Sequence, residues 1–253
     1  MWRMAFDIGG TFTDFVLAGV GEPPRFLKIA STPHDPSVAV ITGFDQLLTD
    51  AGISASSITT LLHATTVATN AIIERKGRPT ALVTTAGFRD VLLIGRQKRY
   101  ETYDLYMDKP APLVARRNVF EVIERVGPNG EVDKELEPAS LDAIIETLAE
   151  STIQSVAVSL IHAYANPTHE NIIKKILQAR LPNLLVSLSS DISPKFREYE
   201  RTSTTVANAY VRPIVADYIS QLQSTLGARG CLLYTSDAAD DTPCVDLGGR
   251  RII

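Results

Sequence analysis

An α/β fold built on a mixed sheet is what this sequence predicts. Three strand-like segments open the chain, and Gly9-Gly10 joins the first two. From residue 35 onward, helical and strand-like segments alternate. Hairpin-linked strands become antiparallel neighbours and strand–helix–strand units become parallel ones, so both patterns in one chain give a mixed sheet with flanking helices.

The elements follow in order. Residues 3–7 run into the Gly9-Gly10 turn signal, and 12–20 are rich in Thr, Phe and Val. A third strand, 25–31, follows Gly21-Glu22-Pro23-Pro24. Asp35-Pro36 offers a helix N-cap with Pro in the first helical position. Val40, Phe44, Leu47 and Leu48 then form an apolar face that ends before Gly52. Residues 59–62 read as a strand, 66–76 as a helix stopped by Gly77, 80–84 as a strand and 88–94 as a short helix. Residues 98–117, with Pro110 and Pro112, are irregular and long enough to be a functional loop. A strand at 119–126 ends at Gly127-Pro128-Asn129-Gly130. Leu141, Ile144, Ile145 and Leu148 fall at i, i+3, i+4 and i+7, a helix face. Residues 155–160 suit a buried strand. Asn166-Pro167 repeats the cap-plus-proline start, with Ile172, Ile173, Ile176 and Leu177 on the buried side, and 184–188 is another strand. Ser193-Pro194 opens a long helical stretch in which Val206, Tyr210, Ile214, Tyr218, Leu222 and Leu226 recur every four residues. That stripe suits core or inter-domain packing better than a cofactor surface. Pro213 inside it is expected to kink or divide the helix.

The last 23 residues differ in character. Both cysteines, Cys231 and Cys244, lie there, and the segment suits neither a helix nor a strand pair. Residues 231–240 and 244–253 resemble transposase-type sequencing-adapter DNA translated in a single frame, with 241–243 in the place of a variable index. The segment 231–253 is therefore expected to be an assembly scar, and the natural protein to continue past Gly230. Without its two arginines and four aspartates the chain carries 23 basic and 25 acidic residues and no cysteine. A cysteine nucleophile or thiolate metal site is thereby excluded from residues 1–230.

Charge and length narrow the function classes. A formal net charge of −4 over 253 residues argues against a nucleic-acid or membrane-surface binder, which would show a basic stripe. A chain of this size buries roughly 70–75% of its unfolded surface and needs no disulfide or metal staple. No apolar run approaches the ~18 residues of a membrane span. Residues 1–7 lack the apolar stretch of a signal peptide, so a cytoplasmic location is expected.

The residues that carry chemistry are Asp7-Ile8-Gly9-Gly10-Thr11-Phe12-Thr13-Asp14. An acidic residue ends a strand, and two glycines let another group approach the backbone closely. Backbone N–H groups in such a turn can cradle a phosphate, and the hydroxyls of Thr11 and Thr13 can add hydrogen bonds. A carboxylate beside phosphate needs a cation between them. Mg²⁺ takes oxygen ligands and keeps several waters, so Asp7 could hold it directly or through water. A plain hairpin turn with a polar neighbour fits the same residues. The pattern is neither a P-loop nor a dinucleotide fingerprint.

These residues resemble the first phosphate motif of the actin-like ATPase superfamily. More narrowly, the chain resembles the N-terminal part of the hydantoinase A / 5-oxoprolinase family. Further segments carry that resemblance in the family's order: 63–70 (His-Ala-Thr-Thr-Val-Ala-Thr-Asn), 71–77, 82–90 (Leu-Val-Thr-Thr-Ala-Gly-Phe-Arg-Asp), 94–97 (Ile-Gly-Arg-Gln) and 189–201 (Ser-Ser-Asp-Ile-Ser-Pro-Lys-Phe-Arg-Glu-Tyr-Glu-Arg). The resemblance covers about residues 3–228. One departure is Ala64, where the family has Gly. The resemblance implies a ribonuclease H-like mixed sheet. It implies an N-terminal domain over 1–190 and the start of a catalytic domain over 191–230, with 231–253 non-native. It also implies ATP and Mg²⁺ as cofactors, a cyclic amide such as a hydantoin or 5-oxoproline as substrate, and a hydantoinase B-type subunit or domain as partner. Asp7, Gly9, Gly10, Thr11 and Thr13 would bind nucleotide, with Asp7 on Mg²⁺ and Asp14 a weak catalytic candidate. His63, Thr65, Thr66, Asn70 and Arg96 would face substrate. The family's second phosphate motif lies downstream, so residues 1–230 alone are expected to be inactive. Two alternatives remain open: a non-catalytic binding or assembly module, and a subunit of an acetone carboxylase-like enzyme.

The other polar residues have plain readings beside the functional ones. His63 could equally be a satisfied half-buried histidine, with Thr69 and Asn70 as helix-start residues. His34, His63, His162 and His169 are too scattered for a metal site, and the last two are expected to flank a helix start. Arg96-Gln97-Lys98-Arg99-Tyr100 is a basic patch suited either to an anion or to solvent. Arg197 with Glu200, and Glu198 with Arg201, stand at i,i+3 and are expected to pair on a helix surface.

Overall fold

The computed structural model describes residues 1–32, 35–97, 103–104 and 106–229. The suspected scar at 231–253, His34 and the run Lys98-Arg99-Tyr100 lie outside them. The described residues divide into two compact units, one of Met1–Lys76 with residues 214–229, the other of Gly77–Pro213.

In the first unit, β1 (Trp2–Ile8), β2 (Phe12–Gly19), β3 (Arg25–Ala30) and β4 (Ile58–Thr65) form a sheet in the order β3-β2-β1-β4. The first three strands are antiparallel neighbours, and β4 lies parallel to β1. Period-two alternation sends Met4, Phe6, Ile8, Phe15 and Leu17 to one face. Helix α1 (Pro36–Ala51) packs Val40, Phe44, Leu47 and Leu48 into the same core. Its start is capped by Asp35, whose side chain accepts from the Ser37 N–H at 3.0 Å. Its end closes on Gly52 in the left-handed region, φ 65°. Gly43 of α1 lies flat against Phe15, and a Cβ there would stand 2.4 Å from the ring. A short helix, α2 (Val67–Ile73), follows β4.

In the second unit, β5 (Thr80–Thr85), β6 (Val119–Val122), β9 (Ser155–Ser159) and β10 (Leu185–Leu188) form a fully parallel sheet in the order β10-β9-β5-β6. Every residue of β5 and β9 is buried, as a parallel strand covered on both faces requires. Helices α4 (Pro138–Ala149) and α5 (Thr168–Arg180) supply much of the cover, through Leu141, Ile144, Ile145 and Leu148 and through Ile173 and Leu177. Helix α3 (Val91–Ile94) and helix α6 (Ser189–Ile192) are single turns. A small ribbon of β7 (Arg125–Val126) and β8 (Val132–Lys134) turns at Gly130, φ 90°.

The mixed α/β class expected from the sequence is the class observed, and several details differ. Two four-stranded sheets form, one mixed and one parallel. The strand expected over 119–126 is split into β6 and β7, because Glu124 between them turns its carboxylate into the core. Helix α7 (Glu198–Ala228) starts five residues after Ser193. The intervening segment is held in a turn by the Lys195 N–H on the Ser193 carbonyl, and Arg197 has φ 82°. Pro213 neither ends nor divides α7, although the boundary between the compact units falls there. The helix is fixed on both sides of it: Val206 and Ala209 pack in the second unit's core, and Tyr218, Leu222 and Leu226 pack in the first unit's core. Packing on both flanks outweighs the missing N–H. Among the described residues no helix is long and apolar enough to cross a membrane.

Candidate functional site

The Gly-Gly turn joins β1 to β2. The Gly9 N–H donates to the Phe12 carbonyl at 3.0 Å, which closes the loop tightly. A Cβ on Gly9 would meet that carbonyl at 3.0 Å, and one on Gly10 would meet Asn70 Nδ2 at 3.3 Å. A side chain at Gly9 would thus crowd the backbone, and one at Gly10 would require the Asn70 side chain to shift slightly. The amides of Gly10 and Thr11 donate to no described residue, and both residues are exposed.

The surroundings of the turn come from β4 and α2. The Thr66 N–H donates to the Ile8 carbonyl at 3.1 Å, and its hydroxyl reaches the same oxygen at 3.2 Å. Asn70 Nδ2 donates to Thr66 Oγ1 at 3.2 Å. Thr65 Oγ1 accepts from the Val67 N–H at 3.1 Å and so starts α2. Asn70 sits one turn inside α2 rather than at its start, since the helix begins at Val67. Thr66 and Asn70 thus brace the glycine turn from the side.

Strand alternation sorts the remaining residues by face. Asp7 and Asp14 are directly opposite one another in the antiparallel pair, and both are exposed. Asp14 is paired with Lys28 at 2.7 Å. Asp7 has no described side-chain partner, and its neighbour on β4 is Ala64. Thr13 lies on the other face. It is completely buried, its Oγ1 is 3.0 Å from Ser31 Oγ, and Ser31 Oγ donates to the Gly9 carbonyl at 2.8 Å. Thr13 is therefore a brace beneath the turn, whereas Thr11 stands on it.

His63 also lies on the inner face, in register with Phe6. Its ring packs 5.5 Å from the Phe6 ring and 5.6 Å from Tyr218. Burial lowers its pKa below the ordinary histidine value. It is not a satisfied histidine, for Nε2 is buried without a partner.

The second unit holds a separate polar cluster at the carboxyl ends of its parallel strands. Glu170 is completely buried and accepts from the Leu160 N–H at 3.0 Å, Ser189 Oγ at 2.7 Å, the Ser190 N–H at 2.9 Å and Ser190 Oγ at 2.6 Å. Burial still raises its pKa. Arg201, 1% exposed, donates to the Leu160 carbonyl at 2.6 Å and the Lys195 carbonyl at 3.1 Å. Leu160 therefore lies between the two, its N–H on the Glu170 carboxyl and its carbonyl on the Arg201 guanidinium. Glu124 accepts from Thr85 Oγ1 and lies 2.8 Å from His169 Nδ1, while Thr85 Oγ1 accepts from the Ile161 N–H at 3.0 Å. The expected surface pairs of α7 are overturned here: Arg201 turns inward, and Glu200 pairs with Arg96 at 2.7 Å. His162 contacts the Val126 carbonyl through Nδ1 at 2.8 Å. Among the described residues no group of three or more His, Cys, Asp or Glu is arranged to hold a metal.

Comparison with known proteins decides the family. Residues 3–181 match the hydantoinase/oxoprolinase N-terminal region. The chain belongs to this family. The alpha subunit of caprolactamase from Pseudomonas jessenii is 34% identical, over 99% of this chain and 37% of the relative. The crystal structure of the ATP-dependent caprolactamase from that organism superposes with a TM-score of 0.82 at 33% identity, over 90% of this chain and 34% of that one. The gamma subunit of acetophenone carboxylase from Aromatoleum aromaticum is 31% identical, over 88% of this chain and 33% of its own. The 5-oxoprolinase of Saccharomyces cerevisiae is 32% identical, over 88% of this chain and 20% of its own. The chain thus spans a fifth to about a third of the length of these relatives.

Within the family frame, the turn residues Asp7, Gly9, Gly10 and Thr11 come together with Thr66 and Asn70 in one unit. Arg96 belongs to the other unit and is engaged with Glu200. Sequence reasoning missed Ser31, Glu170 and Tyr218. Ser31 and Tyr218 carry no local signal, because their partners are 22 and 155 residues away in sequence. Glu170 follows His169 at the start of a helix and reads like any solvent-facing acid of a first turn.

Proposed function

We propose that this chain is the N-terminal part of an ATP-dependent hydrolase that opens a cyclic amide, and that the Asp7–Asp14 segment binds the phosphates of Mg-ATP. The observation that carries the reading is the turn itself. Among the described residues the amides of Gly10 and Thr11, both exposed residues, have no acceptor, and the exposed Asp7 on the strand before them has no counter-ion. Amides in such a turn suit phosphate oxygens, and an unpaired carboxylate suits the hydrated Mg²⁺ that accompanies them. Asp14 is tied to Lys28 and serves better as a charge partner than as a base. Bound Mg²⁺ would neutralise charge developing on the transferred phosphoryl group. The chain's own contribution is positioning: Gly9 and Gly10 permit close approach, Thr11 adds a hydroxyl, and Thr13 with Ser31 keeps the turn rigid from below.

The whole protein's substrate follows by relation to the caprolactamase and the 5-oxoprolinase, both named for cyclic amides. A hydantoinase B-type subunit or domain is the proposed partner, since the caprolactamase and acetophenone carboxylase relatives are themselves named as subunits. The acetophenone carboxylase relative supports a second reading, a carboxylase subunit acting on a ketone. ATP turnover stimulated by a lactam, against turnover stimulated by a ketone with bicarbonate, separates the two.

Thr11→Val in the full-length protein tests the phosphate site. Losing a hydrogen bond to a charged group costs about 1.5–3 kcal/mol, so Mg-ATP affinity or turnover should fall on the order of 10- to 100-fold. ATPase kinetics unchanged in both Thr11→Val and Asp7→Asn would reduce the segment to a structural hairpin and favour an assembly module. The 253-residue chain alone is expected to turn over no cyclic amide.

A further inference from the structure

Four buried side-chain polar atoms among the described residues have no hydrogen-bond partner: His63 Nε2, Tyr218 Oη, Arg89 Nε and Arg201 Nε. The two arginines hold backbone carbonyls through their other nitrogens. His63 and Tyr218 are a different case. Their rings touch, with centroids 5.6 Å apart and planes at 42°, so the two residues that carry the unpaired atoms are neighbours, and Tyr218 belongs to the first unit's core. Phe6 packs on the imidazole as well and offers no polar group.

Leaving a buried polar atom unpaired costs about 1–3 kcal/mol, and such atoms are nearly always satisfied by protein or by ordered water. Here the two are chemically complementary. Burial pushes the Tyr218 phenol above its ordinary pKa, so it keeps its proton and donates. Burial lowers His63, so the imidazole is neutral and has one accepting nitrogen. Nε2 is the buried nitrogen of a half-buried ring.

We propose that Tyr218 is a positioning residue for His63: its hydroxyl donates to Nε2, after a small ring rotation or through one bound water, and fixes the ring proton on Nδ1. An unconstrained imidazole favours the opposite tautomer. His63 stands near the carboxyl end of β4, two residues before Thr65, and its Nδ1 is not among the buried unpartnered atoms. The contact therefore presents an N–H donor beside the segment that braces the glycine turn. That this donor meets an oxygen of a bound ligand rests on the proposed function; the tautomer does not.

Long-range proton–nitrogen correlation spectra of the ¹⁵N-labelled 253-residue chain read the tautomer directly. The chain has four histidines, and His63→Gln identifies the signals of His63 by their loss. The expected wild-type spectrum shows His63 Nε2 without a proton and Nδ1 with one. Tyr218→Phe keeps the ring and removes the hydroxyl, and should move the population toward Nε2–H. A wild-type proton on Nε2, or a tautomer ratio untouched by Tyr218→Phe, overturns the proposal. If Tyr218→Phe fails to fold, the wild-type spectrum decides alone. ATPase kinetics unchanged in both Thr11→Val and Asp7→Asn would sink the nucleotide reading and leave this result standing.

Discussion

The two units treat polar groups at strand ends in opposite ways. At the end of β1, Asp7, Gly10 and Thr11 are exposed, and the Asp7 carboxylate and the two amides engage no described residue. At the carboxyl ends of β5, β6, β9 and β10, the polar groups are buried and bonded to one another. In open α/β sheets, ligands favour the crevice at the carboxyl ends where the strand order reverses. Here that point lies between β5 and β9, and Thr85 already bridges it to Ile161. On the proposed reading, the free donors are the ones a phosphate would take. Saturated donors mark a place that holds the fold.

The largest expected effect tests the saturated side. Glu170→Ala removes the acceptor of four hydrogen bonds and leaves the Arg201 cation without its nearby counter-charge. Breaking a buried charge arrangement of this kind costs about 3–5 kcal/mol. Asp7→Asn, on the exposed side, should fall within about 0.5 kcal/mol of wild type. Urea unfolding of the two variants measures both, and equal losses would break the contrast.

A smaller effect probes the first unit's core. Gly43→Ala places a Cβ 2.4 Å from the Phe15 ring. Overpacking costs about 1–3 kcal/mol, against a gain of up to about 1 kcal/mol from better helix propensity. Net destabilisation is expected, and Phe15→Leu in the same chain should recover part of it. No loss in Gly43→Ala would mean that α1 tolerates a wider spacing from the sheet.

The smallest effect concerns His63. Its folded pKa lies below the ordinary 6.5 through burial, so below that value the unfolded chain binds the extra proton first. Stability should therefore decline as pH falls from about 6.5 toward the folded value, and rise with pH through the same window. In His63→Gln the unfolding free energy should depend less steeply on pH between about 7 and 5. An unchanged slope would show that the ring is not held neutral by its surroundings.

Much of this was legible in the sequence because its causes are local. The Asp35-Pro36 cap, the Gly52 stop, the strand alternation of 3–7 and the glycine turn each depend on residues a few positions apart. The turn was legible as a candidate site for the same reason: acid, two glycines and hydroxyl are adjacent. Two further features lay beyond sequence reasoning because their causes are remote. Thr13 has the same spacing logic as Thr11, and only pairing with β3 and Ser31 shows that it faces inward. Pro213 has a strong local rule against it, and only the packing on either side keeps α7 whole.

The sequence by itself determined which segments become strands and helices, where they are capped, and which family the chain resembles, because periodicity and turn chemistry act over a few residues. Tertiary structure alone decided which polar side chains are spent on the fold and which stay available. Glu170, Arg201 and Glu124 look like surface charges in the chain, whereas Asp7 is marked out only by the glycines that follow it. Their fates separate only when distant strands and helices either enclose a carboxylate with donors or leave it facing water, and that enclosure sets the cost of burying its charge.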